Sequence, residues 1–386
     1  GKVKLLAGEQ GVMDGEVSLN LPLNNDWAMR VFGYARTDDG FMTNPNSPSP
    51  VFGEISNHPR NITQYDESAL RLSLAGNVSD TFSIYATARY SKYDGPANNW
   101  SRELIDGAAN SNTGKVPANM AYSKILDVNN LPKHERETVG ASLEMVWDKD
   151  GYDISSITSY SDTDSLRMTD VDGTQLWFIY TNRPESYRFT TQEIRFSSNN
   201  DSNTQWMAGL YMSDAKTSMR STLDLGWLIL GAEEFTNFAV PFETSDQQDS
   251  KLAGFGNVTI EMGEWEMALG LRLDRWKAER EAVDIGHRAS QSDTQILGNF
   301  SVTKTLSDDA IGYFSVAQGY EPGQWNGIAD GEPPVFGPNG EKTLRRIDAE
   351  ELIQYELGWK GSFMDGRGSL TAAIFYSSYS DRIYQY

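Results

Sequence analysis

The sequence predicts an all-β, antiparallel transmembrane β-barrel of the outer-membrane type, and three observations carry that reading. Tight polar turns alternate with long aromatic-bearing loops. The segments between them alternate apolar with polar or small residues, and aromatic residues gather where those segments end.

Seven tight turns are expected, at Asn24 to Asp26, Ser79 to Asp80, Asp148 to Gly151, Asn199 to Asn203, Gly263 to Glu264, Ser307 to Asp309 and Ser362 to Arg367. Long loops are expected near 38–66, 94–135, 164–186, 218–248, 280–290 and 321–346. Short turns on one rim and long loops on the other mark outer-membrane barrels, whose short turns face the periplasm.

Period two is clearest in four segments. In Ser68 to Val78, Leu70, Leu72, Leu74 and Val78 oppose Arg71, Ser73 and Asn77. Glu137 to Trp147 sets Val139, Ala141, Leu143, Met145 and Trp147 against Thr138, Ser142 and Glu144. Trp265 to Asp274 sets Trp265, Met267, Leu269, Leu271 and Leu273 against Glu266, Arg272 and Asp274, and Tyr355, Leu357 and Trp359 oppose Gln354, Glu356 and Lys360. Helical spacing would mix these faces, so the segments are strands. A tilted membrane strand needs about 9 to 11 residues, more than the usual soluble strand. Trp27, Trp147, Tyr152, Trp206, Trp265 and Trp359 stand near strand ends, where amphipathic rings sit at headgroup level.

Composition bounds the alternatives. Charged residues make up 23% and the mean hydropathy is −0.52, so no stretch approaches the roughly 20 apolar residues of a membrane helix. A barrel escapes that requirement because only every second residue meets lipid. A net charge of −21 argues against a nucleic-acid partner, whose phosphates need a basic surface. Cysteine is absent, which excludes disulfides and thiolate chemistry, and His58, His134 and His287 are too scattered for a metal site. No signal-like segment opens the chain, so the natural N-terminus is expected to lie upstream.

The polar strand faces carry charge. Arg71, Arg89, Glu144, Glu193, Arg195, Glu266, Arg272, Asp274, Glu356 and Lys360 are expected to line a wet lumen, either as wall salt bridges or as part of a translocation path.

Several strings resemble the barrel of TonB-dependent outer-membrane receptors. Thr191-Gln192-Glu193-Ile194-Arg195-Phe196 is similar to that family's Ser/Thr-Gln-Glu-Leu/Ile-Arg-Leu strand. Gly319-Tyr320-Glu321-Pro322-Gly323-Gln324-Trp325-Asn326 resembles its Gly-Tyr-Lys-Pro-Gly-Gly-Phe-Asn element, with Glu321 replacing a basic residue and Gln324 a glycine. Glu350-Glu351 followed by Tyr355-Glu356-Leu357-Gly358-Trp359-Lys360, then Leu370 to Tyr376 ahead of Tyr379, Asp381 and Arg382, are similar to the strands that follow.

The resemblance implies an N-terminal plug domain inside a barrel of about 22 strands. Val3 to Leu6 plus the fourteen strands flanking the seven turns make about 15, so residues 1–386 are expected to be a partial barrel lacking the plug and the last strands. It also implies residence in the outer membrane of a Gram-negative bacterium, in contact with outer-membrane lipid. The implied function is TonB-coupled uptake of a scarce nutrient, such as a ferric siderophore or similar metal chelate, with TonB contacted through the plug. No resident cofactor, metal or catalytic group is expected. A passive porin-like barrel and a surface glycan-binding β-protein are the alternatives.

Trp100, Trp177, Phe178, Tyr180, Trp227, Phe235, Phe238 and Trp325 fall in the expected extracellular loops, where rings either stack on a planar ligand or pack the loops. The acidic stretch Asp162, Asp164, Asp170 and Asp172-Gly173 offers the several oxygen ligands that Ca²⁺ favours but misses EF-hand spacing, so it reads as a solvated loop with a Ca²⁺ site as the alternative.

Overall fold

The computed structural model describes residues 1–44, 61–97, 132–171, 179–225, 238–283, 286–326 and 345–382. In chain order the strands are β1 (Lys2–Ala7), β2 (Met13–Pro22), β3 (Trp27–Asp38), β4 (Tyr65–Ser79), β5 (Phe82–Gly95) and β6 (Lys133–Lys149). They continue as β7 (Tyr152–Asp170), β8 (Ile179–Ser198), β9 (Thr204–Leu225), β10 (Phe238–Met262), β11 (Trp265–Ala282) and β12 (His287–Ser307). The last are β13 (Ala310–Glu321), β14 (Gln324–Asn326), β15 (Arg345–Ile347), β16 (Glu350–Phe363) and β17 (Gly368–Ser380). Fifteen of them form one antiparallel sheet in sequential order, with β16 following β13, while β14 and β15 pair only with each other. The expected count of fifteen wall strands matches this sheet.

All seven tight turns stand where turn chemistry put them. Asn24 Oδ1 accepts from the backbone N–H of Asp26 at 2.8 Å and of Trp27 at 2.9 Å, closing an Asx turn. Gly263, with φ of 62°, supplies the left-handed residue between β10 and β11. Adjacent turns are stitched together where the Asn199 amide donates to Asp148 Oδ1 at 3.0 Å and Asp153 Oδ1 at 2.8 Å.

One face of the sheet is apolar yet bare. Leu269, Leu271, Ile296, Leu357 and Ile374 are 56%, 61%, 64%, 58% and 72% exposed, far beyond what an aqueous surface tolerates as a contiguous band. Lipid is the solvent that such a face requires. Register carries the band from strand to strand, as in Leu210↔Gly254 and Leu271↔Gly256 across β9 to β11.

The expected long loops near 164–186, 218–248 and 280–290 are corrected. β7 runs on to Asp170 and β8 begins at Ile179; β9 reaches Leu225, β10 starts at Phe238, and β11 and β12 are separated only between Ala282 and His287. Above the apolar band the outward positions become charged and hydroxylated, which resembles loop composition. Cross-strand pairing continues regardless, because backbone bonds and side-chain pairs hold the strands without lipid.

Tyr180 and Phe238 therefore lie in strands rather than loops, and Tyr180 is 9% exposed, closed off as a ligand surface. Asp162, Asp164 and Asp170 likewise lie in β7; Asp162 accepts from Arg188 Nε at 3.1 Å and from the Tyr160 hydroxyl at 2.8 Å. Asp172 and Gly173 lie outside the described residues, as do Trp100, Trp177, Phe178, Trp227, Phe235 and His58.

Candidate functional site

The inner face of β8 to β11 gathers the chemistry. Alternation places Phe189 and Glu193 on β8, Tyr211, Ser213 and Ala215 on β9, Asp249 and Lys251 on β10, and Arg272, Trp276 and Arg280 on β11 around one recess of 790 Å³. The register explains the convergence: Lys251 is opposite Ser213 on one side and Trp276 on the other, and Glu193 is opposite Tyr211. Glu321, Pro322, Gly323, Gln324 and Trp325 close it from above.

The closing turn reaches the recess because β13 changes neighbours. Its pairing with β12 begins at Asn299↔Ala317, whereas its pairing with β16 extends to Glu321↔Glu350. Past Ala317 the strand departs from β12, and Gln318 Oε1 accepts the Gly298 N–H at 2.9 Å. Tyr320 then crosses over β12 to donate its hydroxyl to Asp274 Oδ2 at 3.2 Å, with Lys251 Nζ 5.4 Å from its ring centre. Gly323 packs so closely that a Cβ there would stand 2.5 Å from the Ile347 carbonyl oxygen.

Charge inside the recess is held in specific pairs. Arg272 Nε donates to Asp274 Oδ1 at 2.8 Å, and its guanidinium lies 5.7 Å from the Tyr211 ring centre and 5.6 Å from that of Phe255. A flat, delocalised cation suits this sandwich between rings. Arg195 Nε donates to Glu193 Oε1. Gln247 Nε2 donates to Asp249 Oδ2 at 2.6 Å, and burial pushes the Asp249 carboxyl, which stands above the lipid-facing band, higher than the usual carboxylate range. At the top of the wall, burial, then Asp224 and Asp170, push the Tyr180 phenol up to about 12.

The other expected lumenal residues share this inner face at separate places. Arg71 is opposite Arg89, and Arg71 lies 5.9 Å from the Phe32 ring centre. Arg89 packs over Gly140, where a Cβ would stand 2.5 Å from its Nε, and Glu144 is opposite Tyr85. Glu266 is exposed near the short-turn rim. Glu356 accepts from the Tyr313 hydroxyl at 2.6 Å, and Lys360 Nζ is 5.2 Å from that ring centre. Glu193, Arg272 and Trp325 are the expected site residues that line the recess itself.

Sequence reasoning missed Phe189, Tyr211, Lys251, Trp276 and Arg280. Their signal was the continued alternation Gln247, Asp249, Lys251 and Arg272, Asp274, Trp276, Ala278, Arg280, which the polar outward residues between them obscured. Among the described residues no group of His, Cys, Asp and Glu is arranged to hold a metal ion. What the recess offers is ring faces beside cations and carboxylates, suited to a ligand carrying both planar and polar groups.

Comparison with known proteins adds to this geometry. The family model described as "TonB dependent receptor-like, beta-barrel" matches residues 98–386. The chain is 26% identical over 212 residues to the pesticin receptor of Yersinia pestis, covering 53% of this chain and 28% of that one. The ferric yersiniabactin uptake receptor FyuA from Yersinia pestis superposes with a TM-score of 0.74 at 18% identity, covering 98% of this chain and 54% of that one. The siderophore receptor PiuA from Acinetobacter baumannii does so with a TM-score of 0.69 at 17% identity, covering 96% and 56%. The chain thus spans about half the length of these solved receptors.

Proposed function

Since the chain belongs to the TonB-dependent receptor family as its β-barrel wall, we propose that it serves energised uptake of a ferric siderophore or similar metal chelate. The family is one of outer-membrane receptors and transporters of Gram-negative bacteria rather than of enzymes. In the proposed cycle the chelate is bound from outside without chemical change, and its release inward is driven through a plug domain engaged by the TonB complex. The wall described here contributes binding surface and lining, while coupling belongs to the plug.

The observation that carries this reading is the recess beneath the Glu321 to Trp325 turn, where Trp276, Tyr211 and Phe189 meet Lys251, Arg272 and Arg280 on the inner face. A chelate presents the same mixture, with flat rings around a polar, metal-bearing centre. Trp325 and Gln324 supply the roof, and Arg272, fixed by Asp274, supplies a pre-oriented donor.

The test is whole-cell uptake of radio-iron chelates in a strain whose own receptors are deleted and which expresses the complete receptor, with and without TonB. Accumulation that requires both the receptor and TonB is the expected result. Accumulation independent of TonB would point instead to a passive pore and overturn the proposal.

A further inference from the structure

One register row on the inner face is made of hydroxyls. Ser73 is opposite Thr87, Thr87 opposite Ser142, Ser142 opposite Ser159, Ser159 opposite Thr191, and Thr191 opposite Ser213, so six adjacent strands from β4 to β9 each place an alcohol on it. Beyond Ser213 the row enters the recess at Lys251 and Trp276, and at its other end Ser73 is opposite Arg30. The rows on either side are mixed. Above it stand Arg71, Arg89, Gly140, Ser161 and Phe189, and below it Tyr85, Glu144, Ile157 and Glu193.

The hydroxyl row descends. Register rows run perpendicular to the strands, and the strands of such a barrel tilt by about 40°, so each row slopes across the wall. Counted from the short-turn rim, Lys251 is eleven residues from Met262, Ser213 nine from Thr204, Ser159 seven from Tyr152, Thr87 five from Phe82 and Arg30 three from Trp27. At about 3.3 Å per residue, that difference is a fall of roughly 20 Å toward the short turns.

Its groups are open to a solute. Ser73 Oγ and Thr87 Oγ1 are 3.5 Å apart, whereas the hydroxyls of Ser142, Ser159, Thr191 and Ser213 make no hydrogen bond among the described residues. A hydroxyl both donates and accepts, so each can exchange a water for an oxygen of the solute.

The lower part of the row is cationic. Arg30, Arg71 and Arg89 are exposed and form no ion pair with a carboxylate among the described residues. Arg71 and Arg89 are directly opposed, an arrangement that costs stability unless an anion neutralises it. Arg89 lies over Gly140, and its Nη2 reaches Ser161 Oγ at 3.5 Å, beside Phe189 of the recess. Of the carboxylates on the row beneath, Glu193 is held by Arg195, which leaves Glu144 against three guanidinium groups. The recess itself is balanced, with Lys251, Arg272 and Arg280 beside Glu193, Asp249 and Glu321. Selection by charge therefore falls to the row.

We propose that this row is a descending lane for an anionic, oxygen-rich solute, which passes from the recess by way of Arg89 and Arg71 to Arg30. That the solute is a chelate rests on the transport reading, which the lane narrows to chelates of net negative charge.

The experiment reads the lane without any chelate. These 386 residues carry no cysteine, so Ser142→Cys, Ser159→Cys and Thr191→Cys, made singly in the complete receptor, each put one thiol on this wall. Cells with functional TonB are treated with sulfonatoethyl methanethiosulfonate, an anion, or with its trimethylammonioethyl counterpart, a cation, and each rate is divided by that of a free thiol. The anionic reagent is expected to react roughly 10-fold faster, the lower end of what a charged, walled path achieves. R89Q should lower that preference in part and R30Q/R71Q/R89Q should abolish it, with an unchanged thermal midpoint showing that the wall is intact. Equal rates for the two reagents, or a preference that survives R30Q/R71Q/R89Q, would overturn the proposal. Thiols that react with neither reagent would show the row sealed against solute and overturn it equally. A failure of radio-iron uptake with the charge preference intact would remove the chelate and keep the lane, so the two readings fail separately.

Discussion

Arg272 and Asp274, two residues apart on the inner face of β11, are joined by a 2.8 Å charge-assisted hydrogen bond, and Asp274 is only 3% exposed. The same carboxylate accepts the Tyr320 hydroxyl from across β12, so it ties the wall to the base of the turn that roofs the recess. Removing one partner of a well-buried pair leaves the other uncompensated.

Asp274→Ala is therefore expected to lower the stability of the complete receptor by about 2 to 4 kcal/mol, less than the largest buried-pair losses because Arg272 keeps some solvent contact. Tyr320→Phe removes only a neutral donor and should cost about 1 kcal/mol. A double-mutant cycle on thermal or urea midpoints in micelles checks both. Additive losses would show that the Tyr320–Asp274 hydrogen bond contributes nothing to stability.

Trp325 tests the recess as a ligand site. It sits on a short strand outside the main sheet, so its truncation leaves the wall pairing untouched. Trp325→Ala should weaken chelate binding by about 2 kcal/mol, near 30-fold, as for a central aromatic anchor, with little change in thermal midpoint. Trp265→Ala, at the opposite rim and facing lipid, should do the reverse. Titration of intrinsic fluorescence alongside thermal melts separates the two outcomes.

Gly209 makes room for the ring sandwich around Arg272. A Cβ at this position would lie 2.5 Å from Phe255 Cζ and 2.7 Å from the Ile194 carbonyl oxygen, and the second of these is backbone that cannot swing away. Gly209→Val is expected to push Phe255 off the guanidinium and destabilise the wall by about 1 to 3 kcal/mol, the usual range for overpacking. Gly256, whose nearest obstacle is a backbone oxygen at 3.4 Å, should accept Ala with far less effect. Comparing the urea midpoints of the two variants decides the point.

How much was legible in the sequence follows from which solvent each residue faces. Leu269, Leu271 and Leu273 alternate with Gly270, Arg272 and Asp274 against two different media, so turns and strand count could be read directly. Beyond Leu273 the outward Arg275, Lys277 and Glu279 meet water while Trp276 and Ala278 between them are buried, so the polarity of the alternation is reversed, and Arg275 to Glu281 look like loop although they are paired strand. Arg272 and Asp274 were recognisable as lumenal because they sat inside a clear alternation. Trp276 and Arg280 were not, because nothing in their own neighbourhood marks which face they take. The crossing of Tyr320 over β12 was likewise hidden, since it depends on where β13 stops pairing with β12, a long-range event without a local signature.

His134 gives the pH dependence its sign. It opens β6 well above the apolar band, with Nε2 3.2 Å from Ser165 Oγ and its ring 5.5 Å from that of Tyr93. Burial, then Arg167 and Arg136, hold its pKa below the ordinary histidine value. In the window between the lowered folded value and the unfolded value near 6.5, the unfolded chain binds more protons, so stability rises with pH there. At neutral pH the imidazole is neutral in both states and costs nothing; on acidification below about 6.5 the folded upper wall must take up a charge among two arginines or open. Hydrogen exchange of Lys133 to Glu137 and its partners Asp164 to Met168 is therefore expected to quicken as pH falls below about 6.5 while exchange near the short-turn rim does not. His134→Gln should remove that pH step and keep the Ser165 contact. A step that persists in the variant would assign the acid sensitivity to another group.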